Sequence, residues 1–437
     1  MATHAEGDHP LRIALLSYKG NPWCGGQGVY VRHLSRELTA LGHRVEVIGG
    51  QPYPVLDPGV ALTELPSLDL YRDPDPFRTP RAGEFRDWID ALEFAMMRTG
   101  GFPEPLTFSL RARRLLAARR GDFDVVHDNQ TLGYGLMGAA PGPGPGPDAA
   151  PPQVTTIHHP ITVDRRLELA AAPGLGRRLS LRRWYAFTRM QKRVARRLET
   201  VLTVSHTSRT EIIEDLGVRP HRIHVVPIGA DSRVFRPDPA EPVVPGRIVT
   251  TSSADVPLKG LVHLVEALAK LRTEHPAAHL VVVGTRPGRG PVAEALERFG
   301  LEGAVEFVKG IDDEELARLI RGARVACVPS LYEGFSLPAA EAMATGTPLV
   351  ATTGGAVPEV SGPDGETCLA VPPGDAGALA VAIGRLLTDD ELCARIGAAG
   401  RERVLGRFTW ERAAHSTVEH YRTAIAARGP RAAGTRR

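Results

Sequence analysis

A chain of 437 residues exceeds the roughly 250–300 residues at which one core stops growing, so it divides into two domains. A hydrophobic content of 43% and a charged content of 24% exclude wholesale disorder and fibrous folds, and a net charge of +3 with 5% aromatics speaks against a nucleic-acid partner. Cys24, Cys327, Cys368 and Cys393 form no CxxC pair, the N-terminus is polar, and no run of about 18 apolar residues occurs; these features predict a reduced, cytoplasmic chain without a disulfide framework, signal segment or membrane span.

Residues 11–17 (LRIALLS) read as a short buried strand. The glycine-rich turn Gly25-Gly26-Gln27-Gly28 then leads to a helix over 29–41, in which Leu34, Leu38 and Leu41 fall at helical spacing and Gly42 is the stop. Residues 45–48 form a second strand, completing a βαβ unit of the Rossmann kind, which requires a parallel sheet. Further strands are expected at 125–127, 154–157, 201–204 and 224–227, with a helix at 208–216. The PGPGPGP tract at 141–147 is a loop excursion, and the proline-rich stretch 236–246 is the predicted linker. The rhythm restarts at Arg247 with strand 248–251, helix 261–271, strand 279–284, helix 292–299, strand 305–308, helix 313–321 and strand 325–328. This predicts an α/β chain of two Rossmann-like, doubly wound domains, 1–236 and 247–409, facing across a cleft with the ligand at the carboxyl ends of the strands.

Residues 329–352, PSLYEGFSLPAAEAMATGTPLVAT, carry the densest chemistry. Pro338 suits the first turn of a helix, Ser336 is its expected cap, and Gly346 with Pro348 closes it. Glu333 then precedes the helix and Glu341 lies one turn inside, while the N–H groups of Gly334, Phe335, Ser336 and Leu337 point out at its positive end, ready for oxygen-rich groups.

Glu333 and Glu341, eight positions apart with GFSLPAA between, resemble the EX7E motif of the retaining glycosyltransferases of family 4, and Gly354-Gly355 with Pro358-Glu359 continue the likeness. The resemblance spans nearly the whole chain, because Gly26 and Gly28 are similar to the family's N-terminal glycine loop, and it implies the GT-B fold. It further implies that Glu333 lies against the transferred sugar, that Glu341 holds the ribose hydroxyls, and that Lys259 neutralises the donor diphosphate. Domain 1–236 then takes the acceptor, domain 247–409 the UDP- or GDP-sugar, and a final helix of about 410–427 packs back on the first domain, leaving a basic tail at 428–437. No separate cofactor or metal is implied, and no metal-ligand spacing stands out.

Two positions depart from the family pattern. Ser253 stands where an arginine is usual, with Arg286 as a candidate replacement, and Asn129 stands at the second position of an HxH, with His127 at the first. Asn129 can bond a sugar hydroxyl but cannot shuttle a proton. His127 is therefore either a site residue or a packed strand-end histidine, while Asp128, His158 and His159 are candidates for the acceptor side. Retention is expected through attack on the face that the diphosphate leaves, a donor phosphate oxygen helping to take the acceptor proton, so the protein chiefly positions reactants and stabilises charge.

Arg111, Arg113, Arg114, Arg119 and Arg120 crowd segment 111–120, and nine basic residues lie within 177–197 among Trp184, Tyr185, Phe187 and Met190. If 177–197 is one amphipathic helix, it can rest on an anionic membrane at the cytoplasmic face and reach a lipid-linked acceptor; a solvated basic helix is the other reading. The rival functions are a sugar-nucleotide epimerase of the same fold, a non-catalytic nucleotide-sugar-binding protein, and an NAD-dependent oxidoreductase, the last disfavoured because GGQG lacks the GxGxxG spacing.

Overall fold

In the computed structural model, the described residues are 9–20, 26–72, 74–137, 150–252 and 256–428. Cys24, Gly25, the PGPGPGP tract, Ser253 and the tail from 429 lie outside them. The chain divides into two compact units: Met1–Val204, Ser208–Val226 and Ala414–Arg437 form the first, and Ser205–Thr207 with Pro227–Ala413 the second.

The first unit holds a seven-stranded sheet in the order β3-β2-β1-β4-β5-β6-β7. Its strands are β1 (Arg12–Ser17), β2 (Arg44–Gly49), β3 (Ala61–Glu64), β4 (Val125–Asn129), β5 (Gln153–Thr156), β6 (Thr200–Thr203) and β7 (Ile223–Val225). All pairings are parallel; Ile13 aligns with both Val45 and Val125, and Leu15 with Val47 and His127. Every residue of β4 is buried, as a central strand covered on both faces requires, whereas edge strand β3 is mostly exposed.

The second unit holds a six-stranded parallel sheet in the order β10-β9-β8-β11-β12-β13. These are β8 (Val244–Thr251), β9 (His279–Val283), β10 (Val305–Val308), β11 (Ala323–Val328), β12 (Leu349–Thr352) and β13 (Leu369–Val371). Leu264, Val265, Leu268 and Leu271 of helix Leu261–Leu271 meet Leu280 and Val282 in its core. Each such side chain, fully buried, contributes about 1.5–3 kcal/mol. In both sheets the strand order reverses once, between β1 and β4 and between β8 and β11, and such switch points are where open α/β sheets bind ligands, at the carboxyl ends of the strands.

Several elements differ from expectation. The first long helix is Gly26–Ala40, so Gly26, Gln27 and Gly28 form its first turn and are not a preceding loop. The expected helix 208–216 is an α-helix over His206–Glu211 followed by a π-type stretch Ile212–Leu216, which Gly217 ends at φ +72°. The end of the proposed linker 236–246 belongs to β8, where Val244 pairs with Ala323.

Segment 177–197 is not one helix. It runs as helix Gly174–Trp184, a 3-10 turn Tyr185–Phe187 and helix Thr188–Ala195, and Tyr185, Phe187 and Met190 are buried in the unit's own core. In segment 111–120, Arg111 pairs with Asp90 and Glu93, Arg114 with Asp87, and Arg119 with Glu46 and Asp122. Tyr185, Phe187, Met190 and the paired arginines are thus engaged by the fold, while Leu175 and Leu179 of helix Gly174–Trp184 stay 84% and 51% exposed beside exposed arginines. Among the described residues no helix is long and apolar enough to cross a membrane.

Candidate functional site

In the second unit, two loops from either side of the switch point are fastened to each other. After β8, Pro257–Lys259 form a single 3-10 turn opened by Pro257, whose fixed φ suits a helix start, and closed by Gly260 at φ +65°. A Cβ at Gly260 would lie 2.0 Å from the carbonyl oxygen of Pro329, so only glycine lets this loop reach the one after β11. The Leu331 N–H donates to the Leu258 carbonyl at 2.7 Å, completing the contact.

That contact sets Lys259 Nζ 2.7 Å from Glu333 Oε1, and Ser330 Oγ donates to the same oxygen at 2.8 Å. The side chains of Lys259 and Glu333 are 29% and 13% exposed, so the pair is sheltered yet still reachable. From behind, the Ala356 N–H donates to the Glu333 carbonyl at 2.8 Å, and a Cβ on Gly355, at φ +60°, would come within 2.5 Å of that carbonyl. The Gly354-Gly355 pair therefore has a steric purpose: it lets the loop after β12 brace the peptide of Glu333.

Helix Leu337–Ala344 begins with Pro338 in its first turn. Ser336 occupies the cap position but does not cap. Its φ is +109°, its side chain makes no cap bond, and its Oγ is buried without a hydrogen-bond partner. Such a backbone costs on the order of 1–3 kcal/mol and persists only where its surroundings impose it. Glu341 sits one turn inside the helix; burial pushes its carboxyl up to about 7, with Asp313 adding to the rise and Lys259 opposing it. Of the four residues expected to offer amides, Phe335 turns its ring into the core against Phe408, and the Gly334 carbonyl accepts from Ser205 Oγ at 2.7 Å. Arg286, in the loop after β9, is exposed and lies over the Phe307 ring at 5.9 Å.

In the first unit the polar groups at the ends of β4 and β5 are bonded to one another. His127 is fully buried, with Nδ1 2.5 Å from the Tyr421 hydroxyl and Nε2 2.7 Å from Thr156 Oγ1, which in turn meets the Tyr30 hydroxyl at 2.9 Å. Burial holds the imidazole down at about 3. This is the geometry of the packed strand-end reading of His127. Asp128 is also fully buried and accepts from the N–H groups of Thr131 and Leu132, so it shapes the turn after β4.

Asn129 Oδ1 accepts from His158 Nε2 at 2.8 Å, and its Nδ2 reaches the Gln27 carbonyl in the glycine-bearing first helical turn at 3.4 Å. His158 packs edge-on to Tyr30 at 4.7 Å, and burial lowers it to about 3 as well. His159 stands apart, its Nε2 3.0 Å from Asp164. Gly26 is exposed with nothing within 4 Å of an added Cβ, whereas Gly28 is buried in the helix.

Sequence reasoning missed Ser330, Gln130, Thr156, Tyr30 and Tyr421. Gln130, in the left-handed region at φ +57°, accepts from the His158 N–H and donates to the His159 carbonyl, tying the ends of β4 and β5 together. Ser330 and Gln130 lie within motifs already singled out, and a small polar residue beside each was the available signal; nothing local to Tyr421 announces a partner 294 positions away. Among the described residues no group of three or more His, Cys, Asp or Glu is placed to hold a metal ion.

Comparison with known proteins agrees with this geometry. The family model for "Glycosyl transferases group 1" matches residues 239–403, and that for "Glycosyltransferase Family 4" matches residues 24–234. The MMP alpha-(1->4)-mannosyltransferase of Mycolicibacterium hassiacum is 53% identical over 417 residues, covering 95% of this chain and 99% of that protein. Sucrose-phosphate synthase from Thermosynechococcus elongatus superposes with a TM-score of 0.72 at 26% identity, covering 95% of this chain and 100% of that one. Anabaena HepE, solved in complex with UDP-glucose, shares the fold with a TM-score of 0.67 at 18% identity, covering 94% and 100%.

Proposed function

The chain belongs to the family 4 glycosyltransferases of the GT-B fold, and from that premise we propose that it is a retaining mannosyltransferase. It moves mannose from a nucleoside diphosphate to a hydroxyl of a mannose-containing glycan, forming an α-(1→4) bond. The observation that carries this reading is the 53% identity to an α-(1→4)-mannosyltransferase, sustained over 95% of this chain.

In this reading the second unit holds the donor. Lys259 sits where charge accumulates on the leaving diphosphate, so it lowers the barrier as well as aiding binding. Its ion pair with Glu333 fixes the ammonium and leaves the second carboxylate oxygen for a hydroxyl of the transferred sugar. Glu341 accepts from the ribose hydroxyls, the amides from Gly334 to Leu337 meet the sugar and phosphates, and Arg286 adds charge beyond the end of β9.

The first unit takes the acceptor near the ends of β4 and β5, with the N-terminus of helix Gly26–Ala40 presenting its positive end. Its imidazoles are poor bases: His127 and His158 both lie at about 3. Attack on the departing face, with the acceptor proton passing to a donor phosphate oxygen, needs no base from the protein there. The balance is simple: the glycosidic C–O bond to phosphate breaks, the C–O bond to the acceptor forms, and the proton leaves with the diphosphate.

The test is a calorimetric screen against GDP-mannose, UDP-mannose, UDP-glucose and GDP-glucose, followed by transfer to mannosides. Binding and transfer with a mannosyl donor support the reading. Binding of a glucosyl donor alone replaces the sugar while leaving the family site intact, and donor turnover without any acceptor product favours an epimerase.

A further inference from the structure

The mechanism leaves one side of the first unit unused. Tyr71 and Phe77 from one loop meet Phe102 and Trp184 from two further segments, mostly edge to face. Tyr71 has Phe77 and Phe102 at 5.4 Å and Trp184 at 5.6 Å, and Phe102 lies 5.0 Å from Trp184. Tyr71, Phe102 and Trp184 are half-buried, but Phe77 is 57% exposed.

Phe77 is also held at φ +66°, a region that bulky residues seldom enter, while its N–H donates to the Leu70 carbonyl at 2.7 Å. A closed, strained loop therefore presents a large ring to water, when burial of that ring would be favoured by a few kcal/mol. Core packing explains the other three rings and does not explain this one.

Beside the rings stands Lys19, two residues beyond the end of β1 at the sheet's switch point. Its Nζ is 5.7 and 5.6 Å from the ring centres of Tyr71 and Phe102 and 3.1 Å from Glu104 Oε2. The combination is an apolar wall edged by one donor, the Lys19 ammonium, and one acceptor, the Glu104 carboxyl, which burial pushes up to about 7. A pyranose has a matching form, with a C–H face that seeks apolar contact and a rim of hydroxyls that both donate and accept.

We propose that this corner is a binding subsite for the acceptor glycan, in which a neutral pyranose unit of the chain stacks on Phe77 and Trp184 while Lys19 and Glu104 bond its hydroxyls. The inference rests on the mannosyl-transfer reading for the identity of the sugar, and on the ring geometry for the place.

The experiment compares the parent with Phe77→Ala and Phe77→Tyr, measuring calorimetric binding of α-(1→4)-linked mannotetraose and KM for mannotetraose against methyl α-mannoside. Phe77 is exposed, so both variants are expected to fold, and circular dichroism checks this. Phe77→Ala should weaken tetraose binding about tenfold and raise the ratio of the two KM values by a similar factor, with recovery in Phe77→Tyr, which restores the ring. Equal tetraose affinity and an equal KM ratio in parent and Phe77→Ala overturn the subsite. Binding to phosphatidylglycerol vesicles that Phe77→Ala abolishes, without any effect on tetraose, overturns it in favour of a membrane. A parent that transfers to no mannoside counts against the mannosyl reading alone; tetraose binding that Phe77→Ala weakens upholds the subsite even then.

Discussion

The carboxyl ends of the strands in the two sheets are equipped differently. After β8 and β11 the sequence sets Lys259 against Glu333, leaves Glu341 protonating near neutrality, and holds Ser336 in a strained backbone with an unpartnered hydroxyl. After β4 and β5 it sets His127, Asn129 and His158 into bonds with one another and with buried hydroxyls, the two imidazoles neutral. One edge keeps charge in reserve for a ligand whose own charge changes during reaction. The other, at β4 and β5, satisfies its own polar groups, and the charged pair of that sheet, Lys19 with Glu104, lies instead beyond the end of β1.

The contrast is broken most easily at Lys259. Lys259→Ala should lower kcat on the order of 10²- to 10³-fold, more than any single change in the first unit; steady-state kinetics that show a drop confined to KM would reduce the lysine to a binding group. Next comes Glu333→Gln, for which a loss of about 10²-fold in transfer is expected with little change in Tm. Activity equal to the parent would remove Glu333 from the site.

Glu341 gives a third effect, in pH. Its folded value of about 7 lies above the ordinary 4.5, so the cost of ionising it appears as pH rises through that interval. The unliganded protein should gain Tm at pH 8 on Glu341→Gln and change little at pH 5. Donor affinity should run the other way, falling about tenfold per unit below pH 7 in the parent as the carboxyl ceases to accept, and staying weak and flat in Glu341→Gln. A parent affinity independent of pH between 5.5 and 8 would sever Glu341 from the ribose.

The smallest effect on chemistry belongs to His127. His127→Gln should leave the pH dependence of kcat unchanged and cost stability of about 1–3 kcal/mol through its buried hydrogen bonds. Because its folded value near 3 lies below the ordinary 6.5, the parent's contribution is present above pH 6.5 and fades as pH falls toward 3, so the cost of the variant should shrink in acid. A shifted kcat profile would restore a catalytic role to the residue.

The second sheet was the more legible in sequence, and the reason is local. Leu261–Leu271 and Asp313–Arg321 fill complete amphipathic patterns between turn signals, and their ends fall where periodicity places them. Edge strand β3 escaped because its residues are mostly exposed and do not alternate, and segment 177–197 read as one helix because helical spacing cannot reveal the 3-10 turn at Tyr185–Phe187. The two glutamates and Lys259 were visible through motif and family likeness. What could not be seen was the contact at 2.0 Å that makes Gly260 necessary, or the partners of His127, since these depend on residues brought together only by the sheet.

The bond between His127 and Tyr421 also bears on the order in which the molecule can be made. The ribosome makes β4 early, yet the hydroxyl that meets its buried histidine belongs to a residue made 294 positions later, in helix Trp410–Ala426. The partner of this buried histidine is therefore made only after residues 227–413, which belong to the second unit. Domains ordinarily fold in the order in which they appear. Here one bond in the first unit's core has to wait for a segment made after the second unit.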